Sequence, residues 1–224
     1  GKVFGNLDLI GDGIVLPQAV ASEELFADPA NYNAVPVILG TNRDEMKLFL
    51  SFSPDQVDSF MGIPIAIKNS ERYQAFSSYA SDQWKIKAVD QLATVMRQGQ
   101  GDNVFAYRFD ADDLRDFGFL SLQELMGAAH AFEIPYVFGN FVTLMSNLIH
   151  PEFARAARNA LSQSMMSYWA SFAHYGEPAK GYHGKQVEWG TWSNNDEQNR
   201  VMIFDTSIDS GIRMSPVKLK MQDL

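Results

Sequence analysis

Two short stretches carry side chains whose types and spacing could move a proton. The first, LMGAAHAFEIPYVFG from Leu125 to Gly139, sets His130 among small and apolar residues with Glu133 three positions on. The second, LGTNRDEMKLFL from Leu39 to Leu50, places Asp44 and Glu45 just beyond a nearly continuous apolar run, Val35 to Leu39. A carboxylate that accepts a hydrogen bond from imidazole Nδ1 fixes the tautomer, and Nε2 is then free to take a proton from a hydroxyl and hand it to a leaving group. An acid after one buried strand and a histidine after the next follows the chain order of the last two members of an α/β-hydrolase triad. Taken alone, each stretch also has a plainer reading. A lone histidine among Ala, Met and Phe is commonly a hydrogen-bonded packing residue, and Arg43, Asp44 and Glu45 could be a solvated loop.

A metal reading of the first stretch fails. His130 and Glu133 form an H-x-x-E spacing, but no second histidine follows as a zinc peptidase requires, and Pro135 would break a helix running through the pair. The chain has no cysteine, so thiolate metal sites, disulfides and a cysteine nucleophile are all excluded. No metal and no cofactor is expected.

The elements that must position these groups are those of an α/β protein. Val35–Leu39, closed by Gly40, reads as a strand buried on both faces, and Asn103–Phe109 reads as a second. Between them the sequence predicts helices. One is expected from Ser53 as N-cap and Pro54 at the first helical position, and another over NSERYQAFSSYASDQWKIKAVDQLATVMRQGQG, stopping at Gly99. Strand, helices, strand is crossover grammar. The clearest helix lies in HPEFARAARNALSQSMMSYWASFAHYGEP, where Phe153, Ala157, Leu161, Met165, Tyr168, Trp169 and Phe172 recur at three- and four-residue spacing before Gly176 and Pro178 end it. Val201–Asp205 is expected to be the last strand, near an edge. No internal repeat, low-complexity tract or linker appears, so residues 1–224 are read as one unit.

Composition narrows the partners. With 46% hydrophobic residues the chain can bury a core, and its net charge of -9 repels nucleic acid and anionic lipid surfaces. Neither nucleic acid nor membrane is expected as a partner. No apolar run approaches the length of a membrane span, and the opening residues lack the shape of a signal peptide. Together with the missing cysteines and the absence of any N-x-[ST] acceptor, this favours a cytoplasmic location, without fixing the compartment.

Four segments carry a family resemblance. VPVILGTNRDEMKLF, MGAAHAFEIPYVFG and MMSYWASFAHYGEP resemble successive signatures of the carboxylesterase type B (cholinesterase-like) family of α/β-hydrolases, and GDGIVLP near the start resembles its DG-x-x-LP segment. The resemblance implies the C-terminal portion of an α/β-hydrolase fold, a mostly parallel sheet flanked by helices. It implies Glu45 as the acid and His130 as the base of a Ser-His-Glu triad. It places Leu48 and Phe49 at positions that line the family's active-site gorge, Met126 just before the histidine turn as a further substrate-binding residue, and Glu133 as a supporting acid. Met46 stands where cholinesterases usually carry glycine, and the eukaryotic disulfide is impossible without cysteine. Both departures favour a bacterial-type carboxylesterase. His150, His174 and His183 fall in no matching motif and are read as surface or packing residues.

A serine hydrolase also needs a nucleophile elbow, G-x-S-x-G, and a glycine-rich oxyanion loop. Ser70, Ser121, Ser164 and Ser193 all lack the flanking glycines. In the family these parts precede the segment matched here. The expectation is therefore that residues 1–224 form the C-terminal part of a longer enzyme and are inactive alone. The partners would be the N-terminal portion carrying the serine and a small carboxylic ester. The competing reading is a catalytically inactive cholinesterase-like binding or adhesion domain, separable by the residue at the upstream elbow.

Overall fold

The computed structural model describes residues 11–15, 18, 23–141 and 148–224. A four-stranded sheet forms the centre of the described residues: β1 (Val37–Asn42), β4 (Val104–Phe109), β5 (Val201–Phe204) and β6 (Arg213–Ser215), in that spatial order. β1, β4 and β5 run parallel, with Val37 opposite Val104 and Tyr107 opposite Met202, and β6 closes the edge antiparallel to β5. The edge strand is thus β6, one element beyond the expected last strand.

The parallel strands are apolar on both faces because both are covered. Alternate residues sort cleanly by face. Val104, Ala106, Val201 and Ile203 pack with Val89, Ala93 and Met96 of the crossover helices on one side. Phe105, Phe109, Met202 and Phe204 pack with Leu161, Met165 and Tyr168 on the other. The helix supplying that second layer is α7 (Arg155–Tyr175), which ends at a left-handed Gly176 as its spacing predicts. Gly40 is fixed by a neighbour: a Cβ there would lie 1.9 Å from Tyr107 Cε1, so only glycine lets the two strands meet in this register.

The crossover from β1 to β4 departs from expectation in one segment. After α2 (Glu45–Leu50), residues 51–56 turn, and the helix expected from Ser53 is replaced by a hairpin of β2 (Val57–Phe60) and β3 (Ile63–Ile67). The Ser53 carbonyl accepts from both Gln56 and Val57 N–H, which closes a tight turn rather than opening a helix. Met61 and Gly62 then join the strands with φ of 51° and 80°, two positive values in succession, the geometry of a two-residue hairpin turn that follows the strand twist. Helix returns with α3 (Ser70–Lys85), capped by the Asn69 side chain on Arg72 N–H at 2.9 Å. A π-helical turn, Ile86–Gln91, leads into α4 (Leu92–Gln100). The stop falls at Gly101, with φ 69°, and Gly99 remains helical.

The shorter helices are α1 (Glu23–Ala27), α5 (Leu122–Met126) and α6 (Ile134–Phe138). Pro135 sits in the first turn of α6, so it starts that helix and leaves His130 to Glu133 as a turn ahead of it. Of the GDGIVLP segment, Leu16 and Pro17 lie outside the described residues.

Candidate active site

The site forms where β1 and β4 end side by side. Main-chain hydrogen bonds lace the two exits together: Arg43 N–H donates to Phe109 O at 2.8 Å, and Asp44 N–H to Ala128 O at 3.0 Å. Asp44 occupies the N-cap position of α2 but makes no capping bond. Its Oδ2 instead accepts from Ala128 N–H at 3.0 Å, while Arg43 and Lys47 pair with the same carboxylate at 3.0 and 3.3 Å. Gly127 permits this lashing, since its φ is 52° and a Cβ would fall 2.4 Å from Asp44 Oδ2. Asp44 is therefore structural in its contacts, and Arg43 ties it onward to Asp112 at 2.5 Å. Burial works against the Arg43 charge, but Asp44, Asp112 and Asp110 outweigh it and hold its pKa above the ordinary value.

Glu45, the next residue, turns the other way. Its Oε1 accepts from Asn42 N–H at 2.7 Å and from the Thr41 hydroxyl at 3.1 Å. Its Oε2 lies 2.6 Å from His130 Nδ1. The carboxylate is 6% exposed and the imidazole 41%, so the acid is enclosed while the ring presents an open side. Among the described residues, two oxygens of one buried carboxylate are thus divided between a main-chain anchor and a histidine. A group held in this way fixes which imidazole nitrogen carries the proton and leaves Nε2 for chemistry.

Asn42 joins the two loops a second time. Its Nδ2 donates to Ala129 O at 2.6 Å and to Glu133 Oε2 at 2.6 Å, so the residue before His130 and the acid after it are held from one amide. Glu133 accordingly contacts the turn that carries His130. Ala131, directly after the histidine, has φ 68°, a left-handed conformation unusual for a side-chain-bearing residue and one that bends the chain sharply at the site. Tyr107 borders the same region: burial pushes its phenol pKa up, and Glu133 and Glu45 add to the rise.

The expected pocket residues divide. Phe49 lies on His130, with ring centres 5.4 Å apart. Leu48 is half-buried beside it on α2. Met126 is partly buried and packs against the cluster of Val57, Tyr73, Leu120 and Leu125. Asn42, Thr41 and Trp84 were absent from the sequence expectations. Asn42 and Thr41 flank the recognised acid and could have been proposed from proximity alone; Trp84, on α3, could not. His150 packs edge-on against Tyr136 and Phe141, and His174 and His183 stand among Tyr175 and Tyr182. No group of three or more metal-ligating side chains occurs among the described residues.

Residues 60–220 match the model of the carboxylesterase family. The chain belongs to that family. Carboxylesterase relatives include the para-nitrobenzyl esterase of Bacillus subtilis, 27% identical over 210 residues that cover 86% of this chain and 38% of the relative. The bile salt-activated lipase of Bos taurus is 34% identical over 73 residues, 32% of this chain and 11% of its own. Among solved structures, a PNB esterase superposes with a TM-score of 0.56 at 25% identity, covering 86% of this chain and 38% of that one. A Geobacillus stearothermophilus carboxylesterase, at 21% identity and TM-score 0.56, covers 92% of this chain and 42% of its own and supports the fold alone. The fold is that of the α/β-hydrolase carboxylesterases, with a mostly parallel sheet and flanking helices. The chain spans about two-fifths of the length of the para-nitrobenzyl esterase it matches. His130 lies inside the residues matched by the carboxylesterase model, and Glu45 lies before them. No helix of the described residues is long and apolar enough to cross a membrane.

Proposed function

We propose that this chain supplies the acid and the base of a carboxylic ester hydrolase that works through a Ser-His-Glu relay, with the serine on polypeptide outside residues 1–224. The observation that carries the reading is the 2.6 Å contact between Glu45 Oε2 and His130 Nδ1, with Glu45 Oε1 fixed by Asn42 and Thr41. His130 accepts the serine proton as the hydroxyl attacks the ester carbonyl, then returns it to the departing alcohol. Water enters by the same route to release the acid and regenerate the serine. Glu45 stabilises the imidazolium between these steps. Phe49, Leu48 and Met126 are proposed to line the substrate side, and Glu133 to support the histidine turn through Asn42.

The sequence holds no G-x-S-x-G elbow. Together with the span of about two-fifths of the Bacillus relative, that supports reading residues 1–224 as the C-terminal part of one carboxylesterase domain. The name of that relative suggests esters of aromatic alcohols as the first substrates to assay. The test uses the protein containing this chain, treated with a fluorophosphonate probe and analysed by intact mass. Labelling of a serine outside these residues, together with loss of ester turnover by about 10³-fold or more in His130→Ala, is the expected result. Normal turnover in His130→Ala removes the histidine from the mechanism. An elbow that carries glycine or alanine supports a binding domain instead.

A further inference from the structure

Among the described residues the His130 ring makes one hydrogen bond, to Glu45 Oε2, and a single hydrogen bond leaves an imidazole free to pivot about it. Two aromatic rings close on it. Phe49 lies 5.4 Å away at 36° to the imidazole plane, and Trp84 lies 5.4 Å away at 56°. The two aromatic rings also stack on each other, 6.4 Å apart and 22° from parallel. Phe49 arrives with Glu45 on α2, whereas Trp84 arrives from the last turn of α3.

The delivery of Trp84 is built with some care. One turn earlier, the hydroxyl of buried Ser81 accepts from Met46 N–H at 3.1 Å, which seats this face of α3 on the start of α2, beside Glu45. Immediately after Trp84, buried Lys85 reaches across the π-helical turn to Asp90, with Nζ 2.7 and 2.5 Å from its two carboxylate oxygens. A spacing of five residues is the one a π-helical turn brings into line. Leu219 N–H donates to the same Asp90 at 2.8 Å, so the end of the chain secures the pair. π-Helical turns inside α-helices commonly mark functional sites, and this one sets the rotation of the helix end that carries the indole.

We propose that Trp84 is a positioning residue for His130, its indole held against the imidazole by Ser81 and by the Lys85–Asp90 pair so that Nε2 points in one direction. The inference rests on the esterase reading and deepens it. Geometry at the reacting nitrogen is the quantity at stake, because misplacement by about 1 Å costs turnover on the order of 10²-fold. Trp84 acts through His130 and need not touch substrate.

The experiment compares Trp84→Phe, Trp84→Ala and His130→Ala in the full protein, with para-nitrophenyl acetate as probe. Folding is checked by thermal unfolding, and the His130 ring signal is followed by NMR after selective 13C labelling of histidine. Trp84→Ala is expected to lower kcat by about 10- to 100-fold with KM within about threefold, and to move the His130 signal. Trp84→Phe keeps a ring at the contact and is expected to restore kcat to within about threefold of the parent. An unchanged kcat in Trp84→Ala, an unmoved His130 signal, or a raised KM with kcat intact overturns the inference while the relay stands, provided His130→Ala is inactive. If the parent shows no turnover, or His130→Ala matches it, the esterase reading falls and this inference with it.

Discussion

Replacing Gly127 by alanine tests whether the lashing of Asp44 supports the site. The position has φ 52°, and an added Cβ would stand 2.4 Å from Asp44 Oδ2 and 2.7 Å from its Cγ. Its ψ is -146°, so the backbone lies outside the left-handed helical well in a region essentially reserved for glycine, and holding another residue there costs about 1–3 kcal/mol. To relieve the contact, the carboxylate must leave Ala128 N–H, and hydrogen bonds to a charged group contribute about 1.5–3 kcal/mol. The sum is about 2.5–6 kcal/mol. Gly62 supplies the control, since its φ is 80° and a Cβ there meets nothing within 4 Å. Gly62→Ala should therefore lack the steric cost and show only that of its own positive φ in the hairpin turn, about 1–2 kcal/mol. Urea unfolding midpoints of the two variants, and of Gly127→Ala combined with Asp44→Ala, separate the terms. The double variant should lose less than the sum of the two single changes, because the clashing carboxylate is gone. If Gly127→Ala and Gly62→Ala fall within about 0.5 kcal/mol of each other, the steric argument is wrong.

Glu45→Gln should reduce ester turnover by about 10³- to 10⁴-fold through loss of the tautomer-fixing charge, read from kcat at saturating substrate, and activity within tenfold of the parent would remove the acid from the relay. Burial, and the Arg158 charge beside it, lower the His150 pKa to about 4, so the protein binds this proton less readily than the unfolded chain does. The stability that this neutral histidine contributes is present above the unfolded value of about 6.5 and drains as pH falls toward 4, by roughly 2 kcal/mol after allowance for its partial exposure. Denaturant titrations at pH 7 and pH 4.5 should show His150→Gln losing less stability between the two than the parent; equal losses would contradict this. Burial pulls Lys85 down and Asp90 up, which makes the pair costly to desolvate and more costly to break. Lys85→Met should lower stability by about 3–5 kcal/mol by thermal unfolding, and Lys85→Met with Asp90→Leu by much less.

The parts of the fold that could be read from sequence were those whose periodicity reflects burial. β1, β4 and β5 are short apolar runs covered on both faces, and α7 repeats at helical spacing up to a left-handed glycine. The hairpin was not legible because Ser53 and Pro54 are equally good for starting a turn or a helix. The deciding signal was the pair Met61 and Gly62, whose methionine disguises a turn that ordinarily carries asparagine or aspartate. At the site, strand order alone set an acid ahead of His130, but the choice of Glu45 over Asp44 came only through motif resemblance, because nothing in local spacing tells two adjacent acids apart. Asn42 and Trp84 escaped for different reasons. Asn42 reads as one more polar loop residue until its Nδ2 is seen to span two segments, and Trp84 reads as part of a helix face whose rotation depends on a π-helical turn that no periodicity announces.

The spacing of acid and base is set largely by peptide groups. Arg43 and Asp44 each donate an amide proton across the gap between the strand exits, and Ala128 donates one back. The Asp44 carboxylate and the Asn42 amide add side-chain stitches to this seam, and an imino acid at any of the three positions would remove an amide donor that every other residue type keeps. Proline tolerance at 43, 44 and 128, scored by deep mutational scanning, is thus a direct map of how far the architecture of the relay belongs to the backbone.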